Sequence, residues 1–274
     1  MAREISFECE YILHRITEKR LNLFGLEFVA SEFQFKDQRF DTLAFDRNNN
    51  SFVIIEYKNE YNQNVLKQCS GYLNLLLENE EIYINKFNDI FNTDKDDFDF
   101  ENTKVMIIGS VFSHEQIEES LGHPFEMWKV TLYDNDEIIY KKLPDGERIT
   151  IEVDSDELRL TENDLLKDKS ELVRDLYHKL KDRIESEFDD VNEVILVDAV
   201  AFKVNKKIIC IANIKKKIKI HFYTKELNDY ENRTRDISHV TTGGPSHYEF
   251  NLDSTDDLNY VIDLFKQVYE QKRN

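Results

Sequence analysis

The run Phe52-Val53-Ile54-Ile55-Glu56-Tyr57-Lys58 constrains this chain of 274 residues more than any other. An unbroken apolar run beside turn-forming residues reads as a strand buried on both faces. The same strand continues into a carboxylate and an ammonium. Side chains alternate along a strand, so Glu56 and Lys58 share one face. Upstream, Phe40 to Phe45 reads as a partner strand, and Asp46-Arg47-Asn48-Asn49-Asn50 as the turn between them. A hairpin turning near Asn48 and Asn49 brings Asp41 roughly opposite Glu56 and Lys58, at its open end. An ionised carboxylate buried alone is costly, so such groups sit at strand ends, in pairs or on metals. Two carboxylates converging there suit Mg²⁺ (or Mn²⁺), hard ions that take oxygen ligands. Such an ion could polarise a phosphate and activate water, with Lys58 stabilising the developing charge. For Glu-x-Lys taken alone, a half-buried hairpin with a surface ion pair is the plainer reading.

The flanking segments supply further candidates. After a polar bend at 59–64, a helix is expected from about Gln63 to Glu78, its apolar face including Val65, Leu66, Cys69, Tyr72, Leu73 and Leu76. Gln68 falls at the edge of that face, where its amide could bond a metal-held water, a phosphate or a neighbouring backbone group. Before the hairpin, Ile5 to Phe24 has helical spacing and Gly25 is a suitable stop. Leu26 to Phe35 then reads as the first strand, with 36–38 as its turn.

In combination these residues resemble the PD-(D/E)XK nuclease superfamily. Its pattern is an Asp on one strand, Glu or Asp plus Lys on the next, and a helix often carrying Gln. Asp41, Glu56, Lys58 and Gln68 fill those positions in order. Arg39-Phe40-Asp41, Glu56-Tyr57-Lys58 and Gln68 with Tyr72 resemble one branch closely. The resemblance implies a restriction-endonuclease-like αβββαβ core over 1–112, within an N-terminal domain of about 1–150. It also implies that Asp41, Glu56, Lys58 and Gln68 are catalytic. A glutamate of the first helix would complete the metal site with Asp41 and Glu56: Glu10, or failing that Glu18. The implied activity is metal-dependent phosphodiester hydrolysis, in DNA ahead of RNA, in genome defence or repair. A nuclease fold kept as a silent module for nucleic acid or a protein partner is the alternative, and a homodimer stays open.

The remainder reads as an α+β or α/β chain with a second, smaller α+β domain at 165–274. Residues 78–101 begin helix-like and then become acidic and broken, reading as a loop, or a lid, whose charges are solvated surface. Thr103 to Phe112 is a buried strand, Ser113 caps a short helix, and Met127 to Tyr133 and Glu137 to Leu143 form a strand pair. Pro144 to Lys169, charged and weakly periodic, is the expected boundary. Beyond it lie a helix over Leu165 to Phe188 with a stripe of Leu172, Leu176, Leu180 and Ile184, strands at 193–202, 207–212, 214–223 and 247–252, and a last helix capped by Ser254 or Thr255. From about Asp168 to Glu270 this half resembles an uncharacterised family found after PD-(D/E)XK-like domains. The resemblance is clearest at Asp229, Asn232, Arg235, Asp236, Ile237, Ser238, Gly243 and Gly244.

Charge sets limits on partners. The net charge is −19, which counts against a generally sticky nucleic-acid surface but leaves room for a local basic groove. Lys215, Lys217, Lys219, His221 and Tyr223 would share one strand face, with Arg233 and Arg235 in a following loop. Phosphate binding is their functional reading; lysines guarding an edge strand is the plainer one. Three scattered cysteines fit a reducing cytoplasm, and no apolar run is long enough to span a membrane.

Overall fold

The computed structural model describes residues 2–144, 146–239 and 247–273 and divides into two compact units, Met1–Arg159 and Leu160–Asn274. The chain is a mixed α+β protein.

The first unit begins with β1 (Glu4–Ile5), α1 (Glu10–Glu18) and a 3₁₀ turn at Leu21–Phe24. The expected helix is thus shorter than its apolar spacing, because Glu4 and Ile5 pair with Tyr133 and Leu132 instead. Strands β2 (Glu27–Phe35), β3 (Gln38–Asp46) and β4 (Ser51–Lys58) follow as an antiparallel meander. The turn before β4 is closed by Asp46, whose Oδ1 accepts the Asn48 and Asn49 N–H groups at 3.0 and 3.2 Å. That side chain sets the register, Asp46 against Ser51 through Thr42 against Ile55. Helices α2 (Val65–Leu77) and α3 (Glu80–Phe91) then lead to β5 (Lys104–Gly109), which runs parallel to β4. Helix α4 (His114–Ser120) starts in a capping box, Ser113 Oγ accepting from Gln116 N and Gln116 reaching back. It crosses to β6 (Phe125–Tyr133), parallel to β5, and β7 (Glu137–Lys142) and β8 (Arg148–Glu152) finish the sheet as antiparallel neighbours. The order is β2-β3-β4-β5-β6-β7-β8. Strand β8 lies inside the segment expected to be a linker.

Strand β4 is buried along nearly its whole length, as its unbroken apolar run requires. Phe52 is the hub of its α2–α3 face, with Phe45, Phe98 and Phe100 at 5.5, 5.3 and 5.8 Å between ring centroids. The acidic stretch expected as a solvated loop therefore carries two half-buried core aromatics, and Asp99 N–H bonds Asn50 O at 2.9 Å.

In the second unit, α5 (Glu162–Leu166) and α6 (Glu171–Glu187) replace the single expected helix. The buried face of α6 is Val173, Leu176, Tyr177, Leu180 and Ile184, while Leu172 is 69% exposed. Strands β9 (Asn192–Leu196) and β10 (Ala199–Val204) form a hairpin where one strand was expected. Strands β11 (Lys207–Ile214), β12 (Ile218–Phe222), β13 (Arg235–Asp236) and β14 (Tyr248–Leu252) complete an antiparallel sheet ordered β13-β14-β12-β11-β10-β9. Helix α7 (Leu258–Arg273) follows a 3₁₀ turn capped by Ser254, and it shares one core with α6 and the sheet. Among the described residues no helix is long and apolar enough to cross a membrane.

Phe52→Ala should cost about 3–5 kcal/mol in urea denaturation, and Leu172→Ala should stay within about 0.5 kcal/mol. A small loss at Phe52 would refute the hub.

Candidate active site at the end of strand β4

The hairpin register carries the site. One residue past the Thr42–Ile55 pair, Asp41 stands beside Glu56, and its Oδ2 accepts the Tyr57 N–H at 3.0 Å. Glu56 and Lys58 share the α2 face of β4, as alternation requires. Glu56 is 1% exposed, and its Oε1 accepts from Lys58 Nζ at 2.7 Å and from Gln68 Nε2 at 2.8 Å. Its Oε2 is buried and has no hydrogen-bond partner among the described residues. Gln68 also donates to the Tyr72 hydroxyl, which ties the amide to the core of α2. Lys58 Nζ further reaches Tyr57 O at 2.8 Å and Glu10 Oε1 at 3.3 Å. Glu10, the first residue of α1, accepts Asn59 N–H on Oε2 at 3.2 Å. An open cleft of about 410 Å³, bordered by Glu10, Lys58, Asn59 and Tyr61, lies against this end of the strand.

The structure thus brings Asp41, Glu56, Lys58, Gln68 and Glu10 to one place. Glu18 points elsewhere: its Oε1 accepts from Thr42 Oγ1 at 2.6 Å and lies 2.9 Å from His14 Nε2. That network belongs to the opposite face, where the Tyr57 ring stacks on His14 at 4.7 Å and its hydroxyl lies 3.3 Å from Thr42 Oγ1. Asn59 was not singled out in the sequence, yet it joins the site to its surroundings, its Nδ2 bonding Phe7 O at 3.0 Å. The polar bend after Lys58 was its signal.

Three carboxylates surround one ammonium, and burial and the surrounding charges both act on the titration. Burial pushes Glu56 up from the ordinary 4.5 to about 7, with the charge of Asp41 adding to it. Lys58 also loses hydration on burial, but the Glu56 carboxylate outweighs that loss and raises its pKa. Both groups hold their protons more tightly than in water, as a site with surplus negative charge must. Among the described residues no three of His, Cys, Asp and Glu converge as a ready-made metal cage. The fit for a hard cation rests on oxygen donors alone: Asp41, Glu56 with its unpartnered Oε2, and Glu10 at the rim.

The basic residues of the second unit meet a different fate. Lys215 and Lys217 lie in the turn before β12, so they do not line a strand face with Lys219 and His221. Lys215 lies 3.5 Å from Asp198, Lys217 2.9 Å from Asp253, and Lys219 and His221 3.3 and 3.1 Å from Glu249. Strand β12 is internal, between β11 and β14, so edge protection does not explain its lysine either. Arg233 is paired with Asp257 and lies over the rings of Tyr260 and Phe250, at 4.9 and 5.2 Å from their centroids. Arg235 is exposed on β13, and Gly243 and Gly244 lie outside the described residues.

The chain has recognisable relatives. Residues 162–272 match the family model described as a domain of unknown function, DUF5655. An uncharacterized protein of Haemophilus influenzae (strain ATCC 51907 / DSM 11121 / KW20 / Rd) is 31% identical over 285 residues, covering 97% of this chain and 94% of that protein. The chain belongs to the same family as that Haemophilus influenzae protein. Among solved structures it is similar to one described as the structure of an EndoMS-dsDNA2 complex, at 10% identity, 46% coverage of each chain and a TM-score of 0.29. That overlap is too slight to define the fold.

The raised pKa of Glu56 has a measurable sign. An acid with a higher pKa in the folded state stabilises the fold fully below its unfolded pKa of 4.5, and that contribution is lost as pH rises through about 7. Glu56→Gln removes this titration. The stability difference between variant and wild type should therefore shift by about 3 kcal/mol in the variant's favour between pH 4.5 and pH 8. Urea denaturation across that range reads it, and a flat difference would contradict a buried, titrating Glu56.

Proposed function

We propose that the first unit is a metal-dependent nuclease of the PD-(D/E)XK type that hydrolyses phosphodiester bonds in DNA. The observation that carries this reading is the buried Glu56 carboxylate. It has one oxygen on Lys58 and Gln68, the other without a partner among the described residues, and Asp41 beside it. Such an arrangement is expensive as mere structure, because each buried charge must be compensated. It is suited to holding a divalent cation.

Asp41 and Glu56 would hold Mg²⁺ or Mn²⁺, with Glu10 at the rim. When bound, the ion supplies a Lewis acid for a phosphate oxygen and acidifies water. Lys58 keeps its proton and presents positive charge where negative charge develops on the phosphate. Gln68 is a positioning residue: its amide holds Glu56 Oε1, and Tyr72 holds the amide. Genome defence or repair is the setting such chemistry suits. One observation favours a second reading, a silent nuclease-fold module that binds nucleic acid or protein. Lys58 already satisfies half of Glu56 and reaches Glu10, closing the site without any ion.

Calorimetry with Mg²⁺ and Mn²⁺ separates the two. Wild type should bind, and Asp41→Ala and Glu56→Ala should each abolish binding. Gln68→Ala should weaken binding about 10–100-fold, and Asp41→Asn should lower plasmid cleavage by on the order of 100-fold or more. Binding that ignores both carboxylate changes would sink the nuclease reading.

A further inference from the structure

The register of the first sheet joins Lys58 to a row of cations. Lys58 pairs with Gly109, Gly109 with Lys129, Lys129 with Lys141, and Lys141 with Arg148, across β4, β5, β6, β7 and β8. Register partners share a face of the sheet, so these positions line up on the face that carries Glu56 and Lys58. Lys129, Lys141 and Arg148 are exposed. At about 4.8 Å per strand, the row from Lys58 to Arg148 spans about 20 Å.

Lys141, the middle residue of the row, has an interaction of its own, and Lys129 and Arg148 flank it on either side. Among the described residues Lys129 and Arg148 make no ion pair, in a chain of net charge −19. The neighbouring position shows the contrast. Lys142 falls on the other face, where Glu126 pairs with it at 2.8 Å and with Lys104 at 3.0 Å. Edge protection could account for Arg148 on β8, but Lys129 and Lys141 stand on interior strands. The basic residues of the second unit offer no rival among Lys215, Lys217 and Lys219, each of which meets a carboxylate.

The surroundings are shaped for a chain lying across the strands. At Gly109, between Lys58 and Lys129, a Cβ would come within 2.8 Å of Phe112 Cζ and 3.2 Å of Lys58 O, so the backbone runs close under Phe112. Beyond Gly109, a cleft of about 280 Å³ opens, bordered by Glu4, Ser6, Ser110, Lys129 and Thr131. Two register positions on, and so on the same face, Thr131 and Thr150 flank Ile139 and offer hydroxyls beside the cations.

We propose that Lys129, Lys141 and Arg148 bind the phosphate backbone of the nucleic-acid strand leading to Lys58. The assignment rests on the nuclease reading for its direction, since Lys58 marks the reacting end. A row of exposed cations on a sheet face complements a polyanion of regular charge spacing, and backbone contacts of this kind carry no base preference.

The test is fluorescence anisotropy with a short fluorescein-labelled DNA duplex and its single strand, in EDTA so that binding is separated from cleavage. Wild type should bind at low salt with little sequence preference. Lys129→Glu with Arg148→Glu should weaken binding at least about tenfold and flatten the salt dependence by about two phosphate contacts. Lys129→Gln with Arg148→Gln removes the two exposed charges without reversing them, so it should fold as well as wild type and show a smaller loss. Equal binding by both double variants, or no binding by wild type, overturns the assignment. Mg²⁺ calorimetry on the same proteins keeps the two readings apart. Metal binding retained while DNA binding falls supports the row. Metal binding absent in wild type while DNA binding still falls overturns the nuclease reading alone.

Discussion

A carboxylate inside a strand with no exposed length is the constraint to which the first unit answers. Glu56 can be buried only because Lys58, one pleat further on, returns its ammonium to it. That ion pair would be a net cost if its remaining atoms went unbonded. Gln68 on α2 covers part of the deficit, and Tyr72 and Phe40 hold α2 in place, their rings 4.9 Å apart. The turn at Asp46 has the same dependence, since a slip of one residue would carry Asp41 to the face of Thr42. The hairpin, the helix and the bend at Asn59 are arranged so that one buried charge is tolerable, with negative charge left over.

Much of this was legible because it is local. Alternation along β4, the turn composition at 46–50 and the helical spacing of Gln68 and Tyr72 each involve a few adjacent residues. What escaped the sequence depends on partners far away. Ile5 has helical spacing with Ile12 and Ile16, yet it joins β6, more than a hundred residues on, at the end of that strand past its pairing with β5. The alternation in Arg148-Ile149-Thr150-Ile151-Glu152 is plain once β7 is known to lie beside it, but Pro144 and Gly146 mark the region as a linker. The 193–202 run hides its turn at 197–198, which has neither Gly nor Pro.

Charge was the least readable property for the same reason. Lys215, Lys217 and Lys219 look like a basic strip in the sequence, and carboxylates from two other segments neutralise them. Lys129, Lys141 and Arg148 are scattered over twenty residues and draw no notice, yet pairing sets them side by side. Density along the chain is a poor guide to density on a sheet, where strands contribute one residue each to any given row.

The acidic stretch after α3 has a mechanical consequence. Phe98 and Phe100 rest on Phe52, and the Asp99 amide is tied to Asn50 at the hairpin turn. The segment is fastened at its C-terminal half to the base of the strand whose far end carries Glu56. Lifting it would uncover the core aromatics beneath, so its opening belongs with the rupture of the whole sheet rather than with surface fraying. A stretch whose composition suggests a target for proteases is in effect a plug. Its attachment is graded along the chain: the Thr93 and Lys95 amides bond Asn88 on α3, and the Asp99 amide bonds the hairpin turn at Asn50.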